Sequence, residues 1–451
     1  MELIASVFQS ILDLGAAVFL PFVIFILGIA VRMKVGKAFS SGLTLGVAFV
    51  GISLVITFIM GNVGAAAEQF ATNTGIQLRA LDLGWAPALG LCWQWQYAFI
   101  MFPVQIGINL ILLFLGWTDT LNVDMWNVAN KIFTAFLVAS VTGSAVVGFA
   151  VAAGQIVFEL KNADATKHQL HELTGIPGIS MPHPMFLSNI FFYPISRLLD
   201  FVLPAKSNLN ATNLKNYIGV FGENHVMGFI IGTLIGLIGG YSVGAALMLG
   251  IQAGAALTLF PLVSKLFMTA LTPLSDAANT FIKKRFPGKE IVIGLDWPIL
   301  AGNPEIWVAI ILTIPVALGT AMVLPGNSVF PFGNLMNVCV CAAAFMSTRG
   351  NLIKMIIISY LMVPILCWSA SDFAPMLSQL ALDTGSKLPE GQLMAWWGMD
   401  IAEIRWIVVS AFEGKGPAFA GLVLFAVLAF FYFKWMKKEE AVSLSHLEAG
   451  A

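Results

Sequence analysis

Long apolar stretches of the chain contain no Asp, Glu, Lys or Arg, among them 14–31, 38–67, 83–118, 132–158, 224–264, 306–348, 355–371 and 416–433. A helix needs about 20 apolar residues to cross the hydrocarbon of a bilayer. A spanning β-barrel would instead show segments of about ten residues with alternating hydrophobicity. Unbroken runs of this length predict helices. The runs 83–118, 224–264 and 306–348 have room for two passes, or for one pass and a re-entrant hairpin. Only 10% of the 451 residues are charged, against roughly 25% in a soluble domain, so the outside of the fold has to face lipid. The expectation is an all-α polytopic membrane protein of ten or eleven spans.

Loop charges set the orientation. Arg32, Lys34 and Lys37 follow the first run, and Lys434, Lys437 and Lys438 follow the last. Both sets read as cytoplasmic. The N-terminus is then periplasmic and the C-terminus cytoplasmic, which requires an odd number of spans and favours 11. Glu2 and Asp13 precede the first run without a basic segment, unlike a cleaved signal peptide. The net charge of −1 excludes a nucleic-acid binder held by a basic face. Cys92, Cys339, Cys341 and Cys367 lie in apolar runs and read as small hydrophobes. Cys339 and Cys341 lack zinc-site spacing. No metal, cofactor or disulfide framework is expected.

The two halves of the chain resemble each other. Val35-Gly36 with Gly42 and Gly46 matches Val243-Gly244 with Gly250 and Gly254. Asp82-Leu83-Gly84-Trp85-Ala86-Pro87 matches Gly294-Leu295-Asp296-Trp297-Pro298, and the stretch 122–127 matches 332–337. The offsets all lie between 208 and 212. Basic residues fall on opposite sides of the two copies: Arg32, Lys34 and Lys37 before the first, Lys283, Lys284 and Arg285 late in the second. That is the charge pattern of an inverted repeat, which in membranes is a transporter signature. Repeat one is placed at about 14–160 and repeat two at about 222–371, with an extra C-terminal helix at about 416–436.

Two polar stretches lie outside the repeats. The first, Lys161 to Pro184, reads as a cytoplasmic loop leading to a buried turn. The second, Asp372 to Lys415, reads as amphipathic interfacial pieces around Leu393, Met394, Trp396 and Trp397. Trp93 and Trp95 also read as interfacial anchors. Gly228, Gly232, Gly236 and Gly240 recur every four residues and predict close helix packing.

Ionisable groups inside a membrane are costly and default to functional candidates. These are Asp124, His183, Glu223, His225 and Asp296. Glu223 is either a ligand group or a charge placed at the start of the following helix. Asp296 sits between Gly294 and Pro298, where a helix breaks and backbone groups become free to bind a ligand; the structural alternative is an N-cap. His183 is fixed between Pro182 and Pro184, as a hydroxyl partner or a satisfied structural imidazole. Trp85 and Trp297 are suited to stacking on the C–H face of a sugar or polyol. No nucleophile elbow, P-loop or metal signature is present.

Segments 122–127, 221–223, 293–296 and 324–335, with Leu12-Asp13-Leu14-Gly15, Gly46 to Ile52 and Arg349-Gly350-Asn351-Leu352, resemble the galactitol family of membrane IIC components of the bacterial phosphoenolpyruvate-dependent sugar phosphotransferase system. The resemblance runs over nearly the whole chain, with its motifs in order. It implies a bacterial inner-membrane permease with the elevator-type fold of the ascorbate-type IIC proteins: a homodimer with eleven spans, two inverted repeats and re-entrant hairpins. A cytoplasmic IIB partner, charged by IIA, would carry the phosphoryl group on cysteine, and IIC would carry no phospho-residue. Departures from the family pattern fall at Glu223-Asn224-His225, at Gly302-Asn303, at Ala129 and Asn130, and at Pro182-His183-Pro184. They leave the substrate open between galactitol and another polyol or sugar.

The function expected on this basis is group translocation. The solute would bind through Trp85, Asp124, Asn127, His183, Glu223, Asn224, His225, Asp296 and Asn334. Amides and carboxylates suit hydroxyls that both donate and accept. Glu223 or Asp296, with His183 as the alternative, would be the base for phosphoryl transfer. Two rivals stand beside this: an ion-coupled transporter of a polar solute without phosphorylation, and a membrane enzyme acting on lipid. The latter lacks any catalytic signature.

Overall fold

A computed structural model describes residues 16–75, 78–122, 124–203, 219–284, 291–300, 303–335 and 338–450. Its helices and strands are α1 (Ala16–Ala30), α2 (Val35–Ile59), α3 (Ala65–Thr74), β1 (Ala80–Asp82), α4 (Trp85–Cys92), α5 (Met101–Phe114), β2 (Thr120–Leu121), α6 (Met125–Thr142), α7 (Ala145–Thr174), β3 (Ile179–Ser180) and α8 (Asn189–Val202). There follow α9 (Asn224–Ile238), α10 (Val243–Lys283), β4 (Val292–Gly294), α11 (Pro304–Val323), β5 (Val329–Phe330), α12 (Cys339–Thr348), α13 (Leu352–Asp383), β6 (Leu393–Ala395), α14 (Ala402–Phe412) and α15 (Gly416–Gly450). A π-helical turn, Met60–Gly64, joins α2 to α3. Among the described residues six helices are long and apolar enough to cross a membrane, and four shorter apolar helices accompany them. The chain is a polytopic all-α membrane protein whose few strands are two or three residues long.

Helices α1, α2, α9 and α10 pack chiefly on one another and form a panel. Glycines make that contact close. A Cβ on Gly228 would lie 2.6 Å from the Gly254 Cα, and one on Gly232 would lie 2.6 Å from the Ala253 Cβ. Gly236 meets Ala246 in the same way. The four-residue spacing is therefore a packing face, as expected, except at Gly240. Helix α9 ends at Ile238, and Gly240 turns the chain with φ 82°. Helix α3 packs on α9 of this panel, and the other helices build a body around α6, α7 and α13.

The long helices of the body start and stop on local signals. The Ser144 side chain accepts from Val147 N at the start of α7, and Gly175, with φ 72°, ends it. The Asn351 side chain accepts from Lys354 N to open α13. The segment expected as a loop after Lys161 continues α7 instead. Asn162, Ala163, Thr166, Gln169 and Leu170 are buried there, so a polar composition marks a helix face turned into protein. Helix α15 likewise runs past 436 to Gly450. Its last turns find partners: Glu439 takes the Tyr193 hydroxyl (2.8 Å) and Arg349 (3.1 Å), and His446 meets Glu172 at 3.1 Å.

The strands form two parallel three-stranded sheets, ordered β5-β1-β6 and β2-β4-β3. Each sheet takes its middle strand from one half of the chain and both outer strands from the other. Exchanging β1, β2 and β3 for β4, β5 and β6 turns one sheet order into the other. The residues expected at the membrane interface are part of this arrangement. Leu393–Ala395 is an outer strand, and Trp396 and Trp397 are fully buried. Trp93 is buried too, and Trp95 stacks on Phe149 at 5.9 Å between ring centroids. An aromatic beside a polar stretch serves a protein interior as well as an interface.

Two glycines of α7 separate packing from propensity. A Cβ on Gly148 would lie 2.3 Å from the Ala135 carbonyl oxygen, while one on Gly154 meets nothing within 4 Å. Gly148→Ala is expected to cost about 1–3 kcal/mol by overpacking. Gly154→Ala should be neutral or stabilising by up to about 1 kcal/mol. Thermal unfolding of the two purified variants in detergent checks this.

Candidate functional site

Each sheet ends in a tight polar knot. In the first, the buried Asp82 carboxylate accepts four backbone N–H groups. Its Oδ1 takes Gly84 (2.9 Å) and Trp397 (3.0 Å), and its Oδ2 takes Phe332 (3.1 Å) and Asn334 (2.8 Å). One side chain thereby ties the ends of all three strands. The chains cross so closely that a Cβ on Gly333 would lie 2.3 Å from the Leu83 carbonyl carbon. Gly84 needs φ 84° to pass, a region that favours glycine. Asn334 completes the knot, accepting from Trp85 N at 3.3 Å and donating to Gly398 O at 3.0 Å.

The second knot is built on Asn122. Its Oδ1 accepts from Asp124 N and Asn127 Nδ2, both at 3.3 Å, and its Nδ2 donates to Pro182 O at 3.4 Å. The Asp124 carboxylate accepts from Asn127 N at 3.3 Å. Beside it, His183 Nε2 lies 3.3 Å from Asp296 Oδ1, with His183 5% exposed and Asp296 16%. Asp296 Oδ1 also accepts from Trp297 N at 2.7 Å. His183 Nδ1 accepts from Met185 N at 3.3 Å, so the neutral ring carries its proton on Nε2, the nitrogen nearest Asp296. Asp124 acts electrostatically on Asp296. Strands β2, β3 and β4 thus bring together Asp124, Asn127, His183 and Asp296, which lie up to 172 residues apart in the chain.

The other sequence candidates lie elsewhere. Trp85 and Asn334 belong to the Asp82 knot. Glu223 and His225 are exposed at the start of α9 on the panel, and no bond joins them to His183 or Asp296 among the described residues. The Asn224 side chain lies outside the described residues. No group of three or more His, Cys, Asp or Glu able to hold a metal is found among the described residues. The four cysteines are buried and unbridged.

Sequence reasoning passed over several buried charges. Asp82 entered only as part of a repeat match. Lys131 and Glu159 form an ion pair between α6 and α7, both almost wholly buried. Arg405, 1% exposed, donates to Thr134 Oγ1 (2.9 Å), Asn130 O (2.9 Å) and Asp400 O (2.6 Å). Its guanidinium lies over the Phe133 ring at 5.0 Å. Lys131 and Glu159 bound the charge-free run 132–158, a hint that they sit at matched heights on adjacent helices. Arg405 and Asp400 lay hidden in a stretch whose composition suggested an interface.

A polytopic helical body with paired strand ends and a polar interior defines a membrane transport protein. The family model for "PTS system sugar-specific permease component" matches residues 10–391, and the chain belongs to that permease family of the phosphotransferase system. It is 32% identical over 422 residues to the PTS system galactitol-specific EIIC component of Escherichia coli (strain K12), covering 92% of this chain and 93% of that protein. The galactitol-specific EIIC component of Escherichia coli O157:H7 matches to the same extent. The chain is therefore a permease IIC component of a phosphotransferase system, as its motifs suggested.

Asp82→Asn tests the first knot. An amide offers one acceptor oxygen, so two of the four N–H groups would face an NH₂. At about 1–3 kcal/mol per orphaned donor, the variant should lose about 2–6 kcal/mol of stability. A fall in melting temperature and in monodisperse yield from detergent is the expected readout.

Proposed function

We propose that the protein binds galactitol or a closely related neutral polyol at the second knot and presents it for phosphorylation by a phosphorylated IIB partner. The observation that carries this reading is the His183–Asp296 pair, buried at the junction of strands from both halves and flanked by Asp124 and Asn127. Fixed donors and acceptors in a largely buried site are what a polyhydroxylated solute requires. Phosphoryl transfer to a hydroxyl needs its proton accepted and its oxygen held in line. His183 Nδ1 accepts from Met185 N, and its Nε2 lies 3.3 Å from Asp296 Oδ1. Asp296 is accordingly the base, and His183 orients it. Phosphorylation traps the solute inside by charge.

The strand exchange supports two repeats that are longer than their sequence limits, running through α8 in the first half and α14 in the second. The separation of panel from body supports an elevator motion, with the body carrying the solute along the panel of a homodimer in the bacterial inner membrane. Basic residues after α1 and late in α15 support a periplasmic N-terminus and a cytoplasmic C-terminus. Glu223 and His225, at the start of a panel helix, would meet the solute only as the body moves.

Vesicles loaded with phosphoenolpyruvate, the general phosphotransfer proteins, IIA and IIB test the reading. Galactitol is expected inside as its phosphate. His183→Ala should reduce uptake about tenfold to a hundredfold, the worth of one hydrogen bond to a charged group, and Asp296→Asn about a hundredfold or more, because it removes the base. Unmodified solute accumulated on an ion gradient would instead mean ion-coupled transport. Full uptake by Glu223→Ala would remove that residue from the site.

A further inference from the structure

A third carboxylate lies within electrostatic reach of the His183–Asp296 pair and has no part in the reading above. Asp400 follows β6 in Trp397-Gly398-Met399-Asp400 and is 3% exposed. It acts electrostatically on both His183 and Asp296, and the Cys339 thiol lies beside it. Its Oδ1 is buried and accepts no hydrogen bond from the described residues. Leaving a buried acceptor unpaired is costly, more so for a charged one.

The backbone is held in an unfavourable shape to put it there. Ile401 has φ 44° and ψ 40°, the left-handed region that β-branched residues avoid. Arg405 secures the turn through the Asp400 carbonyl oxygen and is itself fixed by Asn130 and Thr134. Strain maintained by its surroundings is characteristic of ligand sites. Gly398, two residues earlier, is bound by Asn334, so both knots converge on this segment.

We infer that Asp400 is a direct contact of the transported solute, its free Oδ1 accepting a hydroxyl proton across the polar interior from His183 and Asp296. The inference rests on the functional reading above and adds a determinant of solute class. With Asp124 and Asp400 both acting electrostatically on Asp296, a neutral solute rich in hydroxyl donors fits and an anionic one is repelled.

Equilibrium binding of tritiated galactitol to the purified full-length protein tests this. Asp400→Asn should weaken binding about tenfold to a hundredfold while the melting temperature stays near that of the unmodified protein. Asp400→Glu keeps the charge beside Arg405 but shifts the oxygens by a bond length, and should weaken binding as well. Should the Asn variant fail to fold, the Glu variant carries the test. Among singly deoxygenated galactitols, one should bind the variants and the unmodified protein equally, because it lacks the hydroxyl that Asp400 accepts. A counter-ion role for Arg405 predicts normal binding by Asp400→Glu, and that result overturns the inference. Loss of binding in His183→Ala and Asp296→Asn with normal binding in both Asp400 variants also overturns it while leaving the parent reading intact. The opposite pattern keeps Asp400 and removes the His183–Asp296 pair. An unmodified protein that binds none of galactitol, mannitol and glucitol overturns both.

Discussion

Backbone amides at membrane depth have to find partners inside the protein, and the four N–H groups gathered by Asp82 meet that demand at its most severe point. Helices satisfy their own amides, but the ends of β1, β5 and β6 are irregular and buried. A carboxylate with two oxygens and several lone-pair directions is the side chain best able to answer several donors at once. Asn122 does the same work at the other sheet with amide chemistry, joining Asp124, Asn127 and Pro182. Both knots then act as fixed points from which functional side chains can be aimed. His183 and Asp296 are oriented by this framework, down to the ring nitrogen that carries the proton.

The panel and the body are held together by different physics. In the panel, glycines of α9 allow backbone contact with α10, and dispersion over a close interface supplies the cohesion. In the body, buried charges are neutralised in place, Lys131 by Glu159 and Arg405 by a ring of carbonyl and hydroxyl oxygens. A pair such as Lys131–Glu159 does little for net stability compared with apolar packing, but removing one partner is expensive. Such a body tolerates little internal rearrangement.

The helices were legible because lipid enforces long runs free of charge, and the candidate pair was legible because His183 and Asp296 each stand beside prolines where helices break. Strands of two or three residues have too few positions to show a period of two, so neither sheet could be seen. Asp82 was not singled out as a buried charge because one residue's burial depends on partners 250 and 315 positions away. Asp400 and Arg405 were masked by their neighbours: the composition of 372–415 is the same whether its aromatics line an interface or, like Trp396 and Trp397, fill a core. The polar face of α7 misled for a related reason. Glu223 was prominent as an acid opening an apolar run, yet a helix start on the panel accounts for its position without a ligand.

The interleaving of strands has a consequence for biogenesis. Because β1 pairs only with β5 and β6, the first half of the chain emerges from the ribosome with its central strand unpartnered. The Asp82 carboxylate must wait for Trp397 to be synthesised before its last amide arrives. Insertion of the early helices can proceed on hydrophobicity alone, but consolidation is postponed until almost the entire polypeptide is in the membrane. A half-length product would therefore be an inserted but unfinished chain, recognisable to quality-control proteases by the polar strand ends it cannot hide.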